Sequence, residues 1–225
     1  MPSFLPVLLG CARAARRALP ASIALCLALV NAGAAQAPVR ILALGDSLTA
    51  GYGLAPRDAF ASVLQRALAA EGLPAVVVNA GVSGDTSAGG RSRLEWALGD
   101  GADVAIVELG ANDALRGLDP AEVEANLDAI LSALRERGVR VLLAGMKAPR
   151  NLDPAYVREF DAVFPRLARR HGVAFYPFFL EGVAGVPGRN LPDGIHPNRE
   201  GVEEIVRRIL PLVRPLVREA ARRGG

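Results

Sequence analysis

At 225 residues, with 51% hydrophobic and 5% aromatic content, the chain is long enough for one full-sized core and too apolar to stay disordered. Its formal charge of +3 comes from 26 basic and 23 acidic residues, and Arg13, Arg16 and Arg17 are the only charged residues before Arg40. Without those three, 23 basic residues face 23 acidic ones, a balance that leaves no electrostatic footprint for nucleic acid.

In chain order, the three arginines precede an apolar run from Ala21 to Val30 and then the small-residue stretch Asn31 to Ala37. This is the order of a secretory signal, and it sets a leader at residues 1–34. A cut after Ala37 is the alternative, disfavoured because Pro38 would follow it. The apolar run is well short of the roughly 20 residues a spanning helix needs, so a retained membrane anchor is the weaker reading. Both cysteines, Cys11 and Cys26, lie in this leader. The processed chain is expected to be periplasmic or secreted, with no disulfide, thiol nucleophile or thiolate metal site.

Residues 35–225 read as one domain. Five apolar runs, Val39 to Leu44, Ala75 to Asn79, Asp103 to Leu109, Val139 to Gly145 and Val173 to Tyr176, lack strict alternation. That pattern predicts parallel strands covered on both faces. Helices are predicted between and after them: about Asp58 to Ala70, Arg91 to Leu98, Asp119 to Gly138, Pro154 to Arg170 and Glu200 to Leu210. The Asp119 helix is the clearest, with Asp119, Pro120 and Glu122 at its start and Val123, Leu127, Ile130, Leu131 and Leu134 at helical spacing. Pro211 and Pro215 are expected to break or kink the last helix. Strand and helix alternating in this way predict a doubly wound α/β sheet, in which ligands bind beyond the carboxyl ends of the strands.

Four segments fall at such positions: Gly45-Asp-Ser-Leu48, Asn79 to Thr86, Gly110 to Asp113, and Asp193 to Asn198. Together, and in this order, they resemble the SGNH, or GDSL, hydrolase family. The likeness is nearest to its branch of thioesterases, lysophospholipases and arylesterases. The resemblance implies a three-layer α/β/α sandwich with a five-stranded parallel, flavodoxin-like sheet. It implies a nucleophile at Ser47, a base at His196 and an orienting acid at Asp193. The oxyanion donors it implies are the N–H groups of Ser47 and Gly84 and the side-chain amide of Asn112. The substrate would be a small acyl ester or thioester, cleaved without metal or organic cofactor, by a protein whose oligomeric state is left open.

Elementary chemistry supports the assignment. A serine hydroxyl needs a base to take its proton, and histidine does this best near neutral pH. Of the two histidines, His171 sits after Arg169 and Arg170 at a predicted helix end, where it reads as a surface cap. His196 lies three residues after Asp193 in a loop of Gly, Pro and Asn, where a tight turn can set the carboxylate on the imidazole. Blander readings exist for each residue: a helix cap for Ser47, a turn glycine for Gly84, loop caps for Asn112 and Asn198, an ordinary turn for Asp193-Gly194. It is the four segments jointly that favour catalysis. For Gly84 the steric argument is that, without a side chain, its N–H can approach an oxyanion closely. Asp46, Asp85 and Asp113 are expected to brace loops, and Phe175, Phe178 and Phe179 to pack the core.

Rival readings lack their residues. There is no G-x-S-x-G elbow, and the glycines from Gly45 to Gly53 come without the lysine of a phosphate-binding loop. A carbohydrate O-acetylesterase is the alternative within the family. A non-catalytic lipid- or glycan-binding module is the alternative outside catalysis.

Overall fold

The structure, a computed structural model, describes Ser3 and residues 37–223. The expected leader, its cut sites and both cysteines lie outside the described residues.

Five strands form one parallel sheet: β1 (Val39–Gly45), β2 (Ala75–Gly81), β3 (Val104–Glu108), β4 (Arg140–Ala144) and β5 (Ala174–Tyr176). Their order is β2-β1-β3-β4-β5. The chain thus leaves β1 in one direction to form β2, then crosses to the other side for β3, and the crevice at this reversal is where doubly wound sheets place their sites. Register makes that crevice level. Gly45 pairs with both Gly81 and Glu108, Glu108 with Ala144, and Ala144 with Tyr176, so the five strands end in one row.

Burial follows position in the sheet. β1, β3 and β4 are almost wholly buried, as their continuous Val, Ile, Leu and Ala content predicts. β2 departs from the expectation of two covered faces. As an edge strand it is half-exposed, with Val76 open to solvent.

Helix α1 (Ser47–Ala50) follows β1, then a 3₁₀ turn (Pro56–Asp58) and α2 (Phe60–Ala70). After β2 come α3 (Ser87–Ser92) and α4 (Leu94–Leu98), two short helices where one was expected. α5 (Ala111–Leu115) and α6 (Pro120–Glu136) follow β3, α7 (Pro154–His171) follows β4, and α8 (Arg199–Arg223) ends the described chain. α2 packs on α8, and α6 packs on α7 and α3. In α6 the Asp119 carboxylate accepts from the Ala121 N–H at 2.9 Å, and Val123, Leu127, Ile130, Leu131 and Leu134 are all buried.

α8 does not break at Pro211 and runs past the expected end at Leu210 to Arg223. It runs through both prolines because Ile205, Ile209, Val213, Val217 and Ala220 keep one buried stripe at helical spacing on either side of them. Pro211 and Pro215 sit four apart on the exposed face, where the carbonyls deprived of an N–H partner reach water. His171 is corrected too. Its ring is buried, with Nε2 2.9 Å from Asp128 Oδ1 of α6, so it ties two helices together rather than capping one at the surface. It ends α7 where β5 begins, at the edge of the sheet opposite the carboxyl row.

Candidate active site

The β1–α1 corner presents the hydroxyl. Asp46, not Ser47, is the N-cap: its Oδ1 accepts from the Leu48 N–H at 2.9 Å. Ser47 therefore occupies the first helical position with its hydroxyl free of capping duty and its N–H without an intrahelical acceptor. The corner has no room for a side chain at residue 45. A Cβ on Gly45 would lie 2.6 Å from Glu108 Oε2.

The loop before α8 brings the imidazole to that hydroxyl. His196 Nε2 lies 3.0 Å from Ser47 Oγ, across 149 positions of sequence. His196 Nδ1 lies 2.8 Å from Asp193 Oδ2. The other oxygen, Asp193 Oδ1, accepts from the N–H groups of Ile195 at 2.9 Å and His196 at 3.0 Å, so one carboxylate shapes the loop and orients the ring. The loop is closed by the Leu191 N–H donating to the His196 carbonyl at 2.8 Å, and Asn198 caps α8 through the Gly201 N–H at 3.0 Å. These bonds fix the tautomer. The two backbone donors, then the imidazole, hold the Asp193 carboxyl down at about 2, so it is ionised and can only accept. Nδ1 must carry the hydrogen, which leaves the Nε2 lone pair to accept from Ser47. Tyr52, absent from the expected set, lies against the imidazole with ring centroids 4.4 Å apart.

Gly84 and Asn112 lie beyond the β2 and β3 ends. Gly84 lies in an exposed turn with φ +82°, and its carbonyl accepts from Arg116 Nη2 at 2.7 Å. A Cβ there would meet only that guanidinium, at 3.9 Å, so left-handed backbone rather than close approach is what calls for glycine. Asn112, in α5, donates from Nδ2 to Asp46 Oδ2 at 3.1 Å and to the Asp85 carbonyl at 2.9 Å. Asp85 accepts from Arg93 Nε at 2.7 Å, and Asp113 accepts from the Ser87 N–H at 2.9 Å and hydroxyl at 2.6 Å, so all three aspartates brace loops. Arg93, also absent from the expected set, donates as well to the carbonyls of Ala80 (2.8 Å) and Gly45 (2.9 Å) and so pins the ends of β2 and β1 together.

Two carboxyls are buried beneath the corner. Glu108 is fully buried, accepts from the Thr49 hydroxyl at 2.7 Å, and has Oε2 3.4 Å from the Asp46 N–H. Burial, then the charge of Asp46, pushes the Glu108 carboxyl well above its ordinary value. Asp46 is pushed up by burial to about 6, against the pull of the Leu48 N–H, His196 and Asn112. A charged residue inside an apolar strand was the visible signal for Glu108.

Ser47, His196 and Asn112 line a cavity of about 120 Å³, while Asp193 stands behind the imidazole and Gly84 at the neighbouring turn. The cavity shares Ala111, Leu115, Leu180 and Ile195 with a larger cleft of about 460 Å³. Phe178, expected in the core, lines that cleft, with Lys147 Nζ 4.8 Å from its ring centroid; Phe179 is core as expected.

A hydroxyl, imidazole and carboxylate in hydrogen-bonded series, at the carboxyl edge of a 2-1-3-4-5 parallel sheet, define a hydrolase of the serine type. The sequence profile of the GDSL-like Lipase/Acylhydrolase family matches residues 43–203. The chain is 40% identical over 193 residues to Esterase TesA of Pseudomonas aeruginosa, covering 85% of the chain and 96% of the relative. It is 37% identical over 184 residues to Thioesterase 1/protease 1/lysophospholipase L1 of Escherichia coli, covering 81% of the chain and 87% of the relative. Among solved structures, TesA matches with a TM-score of 0.75 at 40% identity, over 79% of this chain and 99% of that one. AlinE4, an SGNH-hydrolase family esterase, matches with a TM-score of 0.68 at 46% identity, over 79% and 96%. The chain belongs to the GDSL-like lipase/acylhydrolase family and is a carboxylic ester hydrolase.

Proposed function

We propose that the enzyme transfers the acyl group of small esters or thioesters to water through an acyl-Ser47 intermediate. His196 Nε2 takes the Ser47 proton as Oγ attacks the carbonyl carbon, and the imidazolium returns it to the departing alcohol or thiol. The same nitrogen then takes a proton from water as it attacks the acyl-serine, and returns that proton to Ser47 Oγ as the acyl–Oγ bond breaks and the acid leaves. Asp193 stays ionised throughout. The Ser47 and Gly84 N–H groups and the Asn112 amide serve the oxyanion. The observation that carries the reading is the 3.0 Å contact of Ser47 Oγ with a ring whose far nitrogen is held by Asp193 at 2.8 Å.

The cleft lined by Met146, Phe178, Leu180 and Ile195 favours acyl chains longer than acetyl over a carbohydrate O-acetyl group. A fluorophosphonate reagent is expected to label Ser47 alone, and p-nitrophenyl esters of rising chain length to be cleaved faster than the acetate. A label on Ser83 or Ser87 would refute the nucleophile, and activity limited to the acetate would return the O-acetylesterase.

Export is part of the proposal, on the strength of the three arginines, the apolar run and the small-residue stretch that follows. Expressed in a Gram-negative host, the protein is expected outside the inner membrane and shorter by 34 to 37 residues by intact mass, the cut sites read from the leader. Among the described residues no helix is long and apolar enough to cross a membrane. Recovery of the full-length chain in the membrane fraction would overturn this part alone.

A further inference from the structure

The amide nitrogen of Asn112 has two hydrogens, and in this structure both have acceptors: Asp46 Oδ2 at 3.1 Å and the Asp85 carbonyl at 2.9 Å. An oxyanion held by this amide must therefore displace one of them. The two are unequal. Asp46 is wholly buried, and its carboxyl, pushed up to about 6, carries charge above that pH. A hydrogen bond to a charged acceptor is roughly twice as strong as one between neutral groups. The Asp85 carbonyl is neutral and directly follows the exposed turn at Ser83 and Gly84.

We infer that Asp46 is the positioning residue of the oxyanion amide: its carboxylate keeps one Asn112 hydrogen through the reaction, and the oxyanion takes the other from the Asp85 carbonyl. The inference rests on the oxyanion role proposed for Asn112. It also accounts for the residue type at 46. A carboxylate offers two acceptors, and both are used, one for the Leu48 N–H and one for Asn112. Asparagine offers one acceptor and one donor, so with Leu48 still capped its NH₂ would face that of Asn112. Serine can cap Leu48 and offers Asn112 nothing.

The kinetic test compares Asp46→Asn, Asp46→Ser, Asn112→Ala and the double variants on a p-nitrophenyl ester, above the pH at which Asp46 ionises. Each Asp46 variant is expected to lower kcat about 10- to 100-fold with KM unchanged, since a misaimed amide is missed mainly in the transition state. Added to Asn112→Ala, it should cost nothing further. Losses that multiply, or an effect on KM alone, would overturn the inference while leaving Asn112 in place. An unchanged kcat in Asn112→Ala would instead remove the oxyanion role itself. A crystal structure of the unmodified enzyme phosphonylated on Ser47 gives an answer even if the variants do not fold. Asn112 Nδ2 is expected on Asp46 and on the phosphonyl oxygen, with Asp85 released, and the opposite exchange would refute the proposal.

Discussion

Ser47→Ala and His196→Gln are each expected to lower kcat by about 10⁶-fold, and the double variant to be little worse than either, because the two act as one unit. Without the hydroxyl there is nothing to acylate. Without the imidazole, the hydroxyl keeps its proton at neutral pH and meets the carbonyl as a poor nucleophile. No second base can step in. His171 stands at the opposite edge of the sheet with Nε2 committed to Asp128. What survives in all three variants should be the contribution of the oxyanion donors and of binding, which the geometry leaves untouched. Steady-state assays with stoichiometric active-site titration check this. Near-normal turnover by His196→Gln would end the proposal, and losses that multiply in the double variant would show that the residues act in separate steps.

Much of this arrangement was legible in the sequence, for identifiable reasons. Buried parallel strands need no alternation, so the runs at Val39, Asp103 and Val139 announced themselves, and the α6 stripe at Val123 to Leu134 could hardly be read otherwise. α1 and α5 were invisible because helices of four and five residues have no room for periodicity. At Pro211 tertiary packing decides against a break: the stripe from Ile205 to Ala220 stays buried and α8 packs on α2 despite two missing hydrogen bonds. In the site, Ser47, Asp193 and His196 were legible because a triad needs particular residue types. The groups that hold them were not. Arg93 reaches the Gly45 carbonyl 48 residues away, and Tyr52 meets His196 across 144 positions, contacts that only the fold creates. Glu108 differs from these, since a carboxyl within Val104 to Leu109 was an anomaly in plain view. The left-handed backbone at Gly84 was not legible, since a turn glycine and a close-approach glycine look alike in sequence.

Asp193→Asn is expected to lower kcat by about 10⁴-fold, less than the loss of His196 but far more than the loss of one ordinary hydrogen bond. The reason lies in how the carboxylate is shared. Asp193 Oδ1 accepts from two backbone N–H groups, and Oδ2 from the imidazole. An asparagine can keep its single carbonyl on the two backbone donors, or turn it to the imidazole and set an NH₂ against them. The second choice gives up two bonds to save one, so the first prevails and the loop keeps its shape. The NH₂ then faces Nδ1, which must present its lone pair, and the ring hydrogen moves to Nε2. Nε2–H points at Ser47 Oγ as a donor and can no longer accept the serine proton. Binding is untouched by this change of tautomer, so KM should stay near the wild-type value. Because backbone and imidazole hold the native carboxyl down at about 2, protonation of Asp193 cannot produce an acid limb in the pH range where the enzyme works. Asp193→Asn should therefore remain slow at every pH, with ring ¹⁵N shifts reporting the hydrogen on Nε2. A variant with Nδ1 still protonated and kcat within tenfold of wild type would mean that Asp193 shapes the loop and contributes little to the chemistry.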